Sequence, residues 1–180
     1  MDNKTALPKR KHPRLKDFDY GAEGVYFVTI CTQDRRCLLS RIVGRGFTPA
    51  EEYEHTGSVR SVVKLTRCGE IAEKQLFLIE KRFPGVIIDT YVIMPDHIHV
   101  VFSIDTETAG ASPRPTIMDV VCAYKSLTTR GCKKIISAEK VFQTSFYEHI
   151  IRNTKDYEEI IEYILGNPDK WLFDKLYSEE

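Results

Sequence analysis

His97-Ile98-His99 places two of the chain's five histidines one residue apart. In an extended strand the side chains at i and i+2 leave the same face, so the two imidazoles stand side by side. Two neutral imidazoles so placed can hold a divalent cation once a third ligand and supporting groups join them. They can equally be polar residues on the wet side of a sheet, and the pair alone does not separate these readings. The surrounding alternation says more. His97, His99, Val101 and Ser103 share one face, while Ile98, Val100, Phe102 and Ile104 share the other. The second set is wholly apolar, so Ile98 is expected in the core, pointing away from the histidines.

A second candidate lies downstream in "NTKDYEEIIEYILGNPDKW". Tyr157, Ile160, Ile161 and Ile164 make the apolar stripe of a helix. At about 100° per residue Tyr163 falls at the border between that stripe and the acidic face, with Asn167 one turn later on the same side. A tyrosine used only for packing would take the middle of the stripe. One at the border either faces a cleft or holds its hydroxyl in water. A phenol has an unperturbed pKa of about 10, so its use as a nucleophile needs a base, a cation or a metal-bound water beside it.

The elements that must position these groups can be read along the chain. "VYFVTICTQ" (25–33) is a strand, with "CLLSRIV" (37–43) as its expected antiparallel partner across the turn 33–36. A loop follows from Gly44 to about Gly57, then a helix that starts between Val59 and Gly69. Cys68, Ala72, Leu76, Ile79 and Phe83 form its apolar stripe, and Phe83-Pro84-Gly85 ends it. Residues 85–94 form a strand that Pro95-Asp96 breaks, and 97–104 continue extended. After a loop over 105–115, Thr116 with Asp119 makes a capping box, and the helix runs through Val120, Tyr124 and Leu127 to a C′ stop at Gly131. Residues 141–151 are short, aromatic and extended or irregular. Asn153 with Asp156 opens the last helix, which is expected to end near Asn167-Pro168. This order predicts an α+β sandwich of ferredoxin-like type, an antiparallel sheet with helices packed on it.

Composition narrows the class. A length of 180 residues fits one domain: a basic arm over 1–19, a single domain over 20–175 and a short tail over 176–180. No apolar run approaches the roughly 20 residues needed to cross a bilayer, so no membrane partner is expected. The start is charged, without the apolar stretch of a secretory signal. Five cysteines with no CxxC pair argue against a disulfide framework or a zinc ribbon, and for a reducing cytoplasm. Basic and acidic residues balance at 26 each, but unevenly along the chain. Lys4, Lys9, Arg10, Lys11, Arg14 and Lys16 face only Asp2 at the start, whereas acids dominate from Asp156 onward. The arm is either a phosphate-touching segment or a solvated tail.

"YVIMPDHIHVVF" resembles the histidine-hydrophobic-histidine (HUH) signature strand of the single-tyrosine transposases. "VFQTSFYEHIIRNTKDYEEIIEYILGNPDKW" resembles the C-terminal motif of their REP-associated tyrosine transposase branch. "LTRCGEIAEKQLFLIEKRFPGVIIDTYVIM" and "IMDVVCAYKSLTTR" follow the same pattern, and the resemblance runs from about residue 20 to 175. It implies that Tyr163 is the catalytic nucleophile and that His97 and His99 are metal ligands. Asn167 would be the third ligand, in place of the glutamine that related insertion-sequence enzymes carry four residues after the tyrosine. The shorter amide requires the helix to sit closer to the sheet. A mixed N/O site with open positions suits Mg²⁺ or Mn²⁺.

The implied activity is cleavage and rejoining of single-stranded DNA, near hairpin-forming repeat ends, through a 5′-phosphotyrosine in a cytoplasmic, nucleoid-associated protein. Relatives include monomers and homodimers, and either state is compatible with the motifs. Candidate DNA contacts are Arg35, Arg36, Lys125, Arg130, Lys133, Lys134 and Arg152, with Tyr147 and His149 as accessory groups. Tyr147 and Tyr157 are rival nucleophiles but lack an asparagine at i+4. Two other functions fit the same residues: a catalytically silent DNA-hairpin-binding protein, and a metal-dependent hydrolase with no covalent step.

Overall fold

The computed structural model describes residues 23–44, 61–105, 115–137 and 140–171. The basic arm, the central parts of the two long loops and the tail over 176–180 lie outside the described residues. A four-stranded antiparallel sheet forms from Gly24–Cys31 (β1), Val86–Ile93 (β4), His97–Ile104 (β5) and Tyr147–Ile151 (β6), in the order β4-β5-β1-β6. Ser40–Gly44 (β2) and Ser61–Leu65 (β3) make a separate antiparallel pair. The helices are Arg67–Arg82 (α1), Ile117–Cys132 (α2) and Thr154–Trp171 (α3). With the small pair and the last helix set aside, the chain runs β-α-β-β-α-β, the ferredoxin-like order expected from the sequence.

One face of the sheet is closed. Tyr26, Val28 and Ile30 of β1 and Ile98, Val100, Phe102 and Ile104 of β5 meet Cys68, Ala72, Leu76 and Ile79 of α1 and Ile117, Val120, Val121 and Tyr124 of α2. Ile98 is fully buried here, as its place in the alternation requires. Each such side chain contributes about 1.5–3 kcal/mol when fully buried, which makes this face the main source of stability. The Thr116–Asp119 capping box opens α2, with the Thr116 side chain accepting from the Asp119 amide. Thr66 does the equivalent for α1 by accepting from the Gly69 amide.

Three local expectations change. The strand after the first turn does not return along β1. Residues Gln33–Arg35 form a 3₁₀ turn with Asp34 and Arg35 at φ 57° and 56°, and this left-handed backbone directs β2 away to pair with β3, a strand the sequence pattern had merged into a helix start. Gly131 does not end α2. A Cβ there would stand 2.6 Å from Ile71 Cγ2 of α1, so the glycine permits close helix contact and the helix continues to Cys132. Last, α3 does not stop near Asn167-Pro168. It carries Pro168 internally and runs to Trp171.

A helical proline removes one backbone bond, here to the Ile164 carbonyl. The turn beyond it is anchored by other means. Trp171 is buried with Ile42 of β2 and Met94, and the Ser61 amide of β3 donates to Asp169 Oδ1 at 2.7 Å. The β2–β3 pair thus holds the end of α3 over the second face of the sheet. On that face Ile164, with Tyr157, Ile160 and Ile161, packs against Phe27, Val101 and Ile151.

Candidate active site

The two imidazoles emerge from the core strand β5 just after a tight turn, which the Met94 amide closes on the His97 carbonyl at 2.8 Å. Both rings are buried, with their centroids 4.5 Å apart. Each is held at Nδ1. His99 Nδ1 meets Thr29 Oγ1 of the neighbouring strand at 2.9 Å, a contact that the Thr29–His99 register dictates. His97 Nδ1 meets Asp96 Oδ1 at 2.5 Å. Asp96 is itself buried, and Arg35 Nε donates to its other oxygen at 2.8 Å. The left-handed backbone at Arg35 turns this side chain back onto the turn, where Nη1 also donates to Cys31 Sγ at 3.0 Å.

His97 Nδ1 donates to the Asp96 carboxylate, which leaves its Nε2 lone pair for the cleft. His99 offers the same lone pair in the tautomer whose Nδ1 donates to Thr29 Oγ1. An oxygen partner on the far nitrogen is how metal-binding imidazoles are oriented. Burial, with smaller contributions from His97 and Arg35, pushes the His99 pKa down to about 3. Its imidazole is therefore neutral at ordinary pH, the form a cation requires.

Across the cleft stands α3. Tyr163 is 42% exposed, and its hydroxyl lies 3.4 Å from His99 Nε2. Its ring makes edge contacts with His99 and Phe27, at centroid distances of 5.2 and 6.2 Å. The border position on the helix therefore faces a cleft rather than open water. Asn167, one turn on, is 8% exposed and lines the same cleft. Its side chain thus brings a polar amide to the space between helix and sheet. The cleft measures about 620 Å³ and is also lined by Phe27, Thr29, Arg35, Tyr147, Lys170 and Trp171.

Among the described residues no group of three His, Cys, Asp or Glu side chains is assembled that could hold a metal ion. The donors that do converge on one cleft are two oriented imidazoles and the Asn167 amide. Such a set of two nitrogens and one carbonyl oxygen, with open positions, fits a borderline or hard divalent cation.

Of the other candidates, Arg35 and Tyr147 line the cleft. His149 does not; its Nε2 is 2.9 Å from Asp156 Oδ2 on α3, and this contact holds the Asp156 carboxyl below the usual range. Arg36 donates to the Lys140 carbonyl at 2.8 Å. Lys125 donates to the Thr144 carbonyl at 2.8 Å, and burial lowers its pKa. Arg130, Lys133, Lys134 and Arg152 are exposed and do not line the cleft. Tyr157, on the sheet-facing side of α3, packs against the Phe27, Val101 and Ile151 cluster, and its phenol pKa is raised by burial and by Asp89, which makes it a poorer nucleophile.

Sequence reasoning missed Asp96, Thr29, Lys170 and Trp171. Asp96 could have been found as a carboxylate adjoining a candidate ligand. Lys170 falls seven residues after Tyr163 and Trp171 four after Asn167, both on the cleft side of the helix, but only if the helix passes Pro168. Thr29 depends on pairing between distant strands.

No family model matches the chain. An uncharacterized protein of Haemophilus influenzae is 32% identical over 185 residues, covering 94% of each chain. The REP-associated tyrosine transposase of Escherichia coli K12 is 31% identical over 92 residues, 51% of this chain and 50% of that protein. The match thus spans half the length of that relative. A solved REP-associated tyrosine transposase, bound to a REP hairpin, superposes with a TM-score of 0.57 over 87% of this chain and 74% of that one, at 21% identity. No described helix is long and apolar enough to cross a membrane. The chain therefore belongs to one family with the Haemophilus influenzae protein, and its likeness is to the REP-associated tyrosine transposases, in half of the sequence and in the fold.

Proposed function

We propose that this protein is a transposase-like DNA strand transferase in which Tyr163 is the nucleophile and single-stranded DNA beside a hairpin is the substrate. The observation that carries the reading is the Tyr163 hydroxyl 3.4 Å from His99 Nε2 in a cleft shared with His97 and Asn167. The likeness to a transposase solved on a REP hairpin supports the substrate class. His97, His99 and Asn167 would hold a Mg²⁺ or Mn²⁺ ion. Such an ion, when bound, neutralises charge on a phosphate oxygen and helps align the phosphate.

The protein's own groups do the rest. Thr29 and Asp96 fix the imidazole rings, and Arg35 holds Asp96. Phe27, edge-on to the Tyr163 ring, sets the direction of the phenol. In the reaction the Tyr163 oxygen forms a bond to phosphorus as the bond from phosphorus to the 3′ oxygen breaks. The phenolic proton leaves to solvent and the departing oxygen takes one up. The products are a 5′-phosphotyrosine and a free 3′-hydroxyl. The new ester retains the energy of the old one, so attack by another 3′-hydroxyl reverses the step and joins strands without ATP.

Incubation of the full chain with hairpin and unstructured oligonucleotides and Mn²⁺, followed by denaturing gels, tests this. A covalent protein–DNA adduct that disappears in Tyr163→Phe is the expected result. Cleavage that survives Tyr163→Phe points to a hydrolase, and binding without cleavage points to a silent hairpin-binding protein. Either one overturns the proposal.

A further inference from the structure

The cleft holds two cationic side chains, and their circumstances differ. Arg35 is already engaged: its Nε serves Asp96 and its Nη1 serves Cys31. Lys170 pairs with no acidic group among the described residues. Its Nζ instead stands over the Tyr163 ring, 5.7 Å from the centroid. The helix arranges this. Residues seven apart lie on one side of an α-helix, two turns from each other, and helical side chains lean toward the N-terminus. The stem of Lys170 passes Gly166, where even a Cβ would lie 4.0 Å from Lys170 Cε. A small residue at that position leaves the path to Tyr163 open. A lysine one or two positions earlier or later would leave this face of the helix.

A cleft that receives a phosphodiester must supply positive charge where the phosphate sits, and a charge already matched by a carboxylate supplies less. Resting on the strand-transfer reading above, we infer that Lys170 is a further substrate-binding residue of this site, and that its ammonium contacts the DNA phosphate presented to Tyr163. This role would make the end of α3 a functional segment. The ring of Tyr163 keeps the ammonium in place while the cleft is free of DNA, and the phosphate then takes it over.

The test is the salt dependence of oligonucleotide binding by the full chain carrying Tyr163→Phe, which binds without reacting. A labelled hairpin with single-stranded flanks serves as the probe, read by fluorescence anisotropy over a NaCl series. Each phosphate contact on a single strand contributes about 0.7 to the slope of log affinity against log salt. Lys170→Ala and Lys170→Gln are each expected to flatten the slope by about that amount, while Lys170→Arg keeps it. Lys155→Ala, on the same helix with an exposed side chain paired to Glu159, serves as the control and is expected to keep the slope. Loss of packing alone would appear as a lower Tm with the slope intact, and Lys170→Gln, which retains the stem, would then behave as the parent. An unchanged slope in both Lys170 variants, or an equal loss in Lys155→Ala, overturns the inference and leaves the strand-transfer reading standing. If the Tyr163→Phe parent binds no oligonucleotide and the unmutated chain forms no adduct, both fall together.

Discussion

The two faces of the central sheet are built from the same strands and treated in opposite ways. The face under α1 and α2 is apolar along β1 and β5, with Glu148 on the edge strand β6, and the hydroxyl of the buried Tyr124 on α2 is satisfied by the Ala72 carbonyl at 3.2 Å. The face under α3 changes character along three of its strands. On β5 it passes from Val101 to His99 and His97, on β1 from Phe27 to Thr29, and on β6 from Ile151 to His149 and Tyr147. The helix follows the same gradient, with Ile160 and Ile164 over the apolar half and Tyr163 and Asn167 over the polar half. The contrast shows a division of labour across a single strand. One face supplies the free energy of folding, and the other uses a small apolar patch only to hold a helix over polar groups.

This comparison can be broken by substitution. Phe102→Ala on the closed face is expected to lower stability by about 3–5 kcal/mol, read from the urea midpoint, whereas Tyr163→Phe on the open face should stay within about 0.5 kcal/mol. A large stability loss in Tyr163→Phe would mean the open face also carries the fold. Asp96→Asn tests whether the open face is organised for binding. Mn²⁺ affinity by titration calorimetry should fall by about 10- to 100-fold, the usual effect of losing a carboxylate that orients a ligand. Unchanged affinity would remove Asp96 from the site.

Acid and alkali should separate the faces as well. In chelator-treated protein the His99 pKa is lowered to about 3 from 6.5, so the unfolded chain takes up that proton first. The contribution of His99 is then complete above about pH 6.5 and drains away as pH falls toward 3. Stability measured against pH should lose this slope in His99→Gln. Tyr124 behaves in the opposite sense. Burial raises its phenol pKa above 10, so its contribution is lost only as pH climbs past the unfolded value, and Tyr124→Phe should flatten the alkaline limb alone. The smallest contrast is between two helical glycines. Gly131→Ala forces a methyl against Ile71 and should destabilise by about 1–3 kcal/mol. Gly166→Ala meets no closer atom than Lys170 Cε and should stabilise by up to about 1 kcal/mol, with chemical denaturation deciding both.

What could be read from the sequence was what local rules govern. The inward direction of Ile98, the Thr116–Asp119 cap and the border position of Tyr163 follow from periods of 2 and 3.6 residues, and each occurs in the structure. The Asn153 cap of α3 is equally local, with Asn153 Oδ1 accepting from the Asp156 amide at 2.9 Å. The errors arose where a distant partner decides. Alternation in residues 37–43 could not reveal that β2 would choose β3 over β1, because the left-handed pair Asp34-Arg35 sets the exit direction, and although aspartate tolerates that backbone, arginine is not of the type that marks it. The extension of α3 past Pro168 depends on Trp171 finding Ile42 and Met94. That misreading hid Lys170 and Trp171, and with them one wall of the cleft.

The two-residue turn at Pro95-Asp96 has a consequence for how such a protein can change over generations. Core residues and histidines alternate one by one immediately after it. An insertion or deletion of a single residue there would send His97 and His99 into the core and Ile98 into the cleft together. Point substitution can silence the histidines and spare the scaffold. A shift of the reading along the strand cannot, so a descendant that has abandoned chemistry but kept its shape should show altered letters in this segment and an unaltered length.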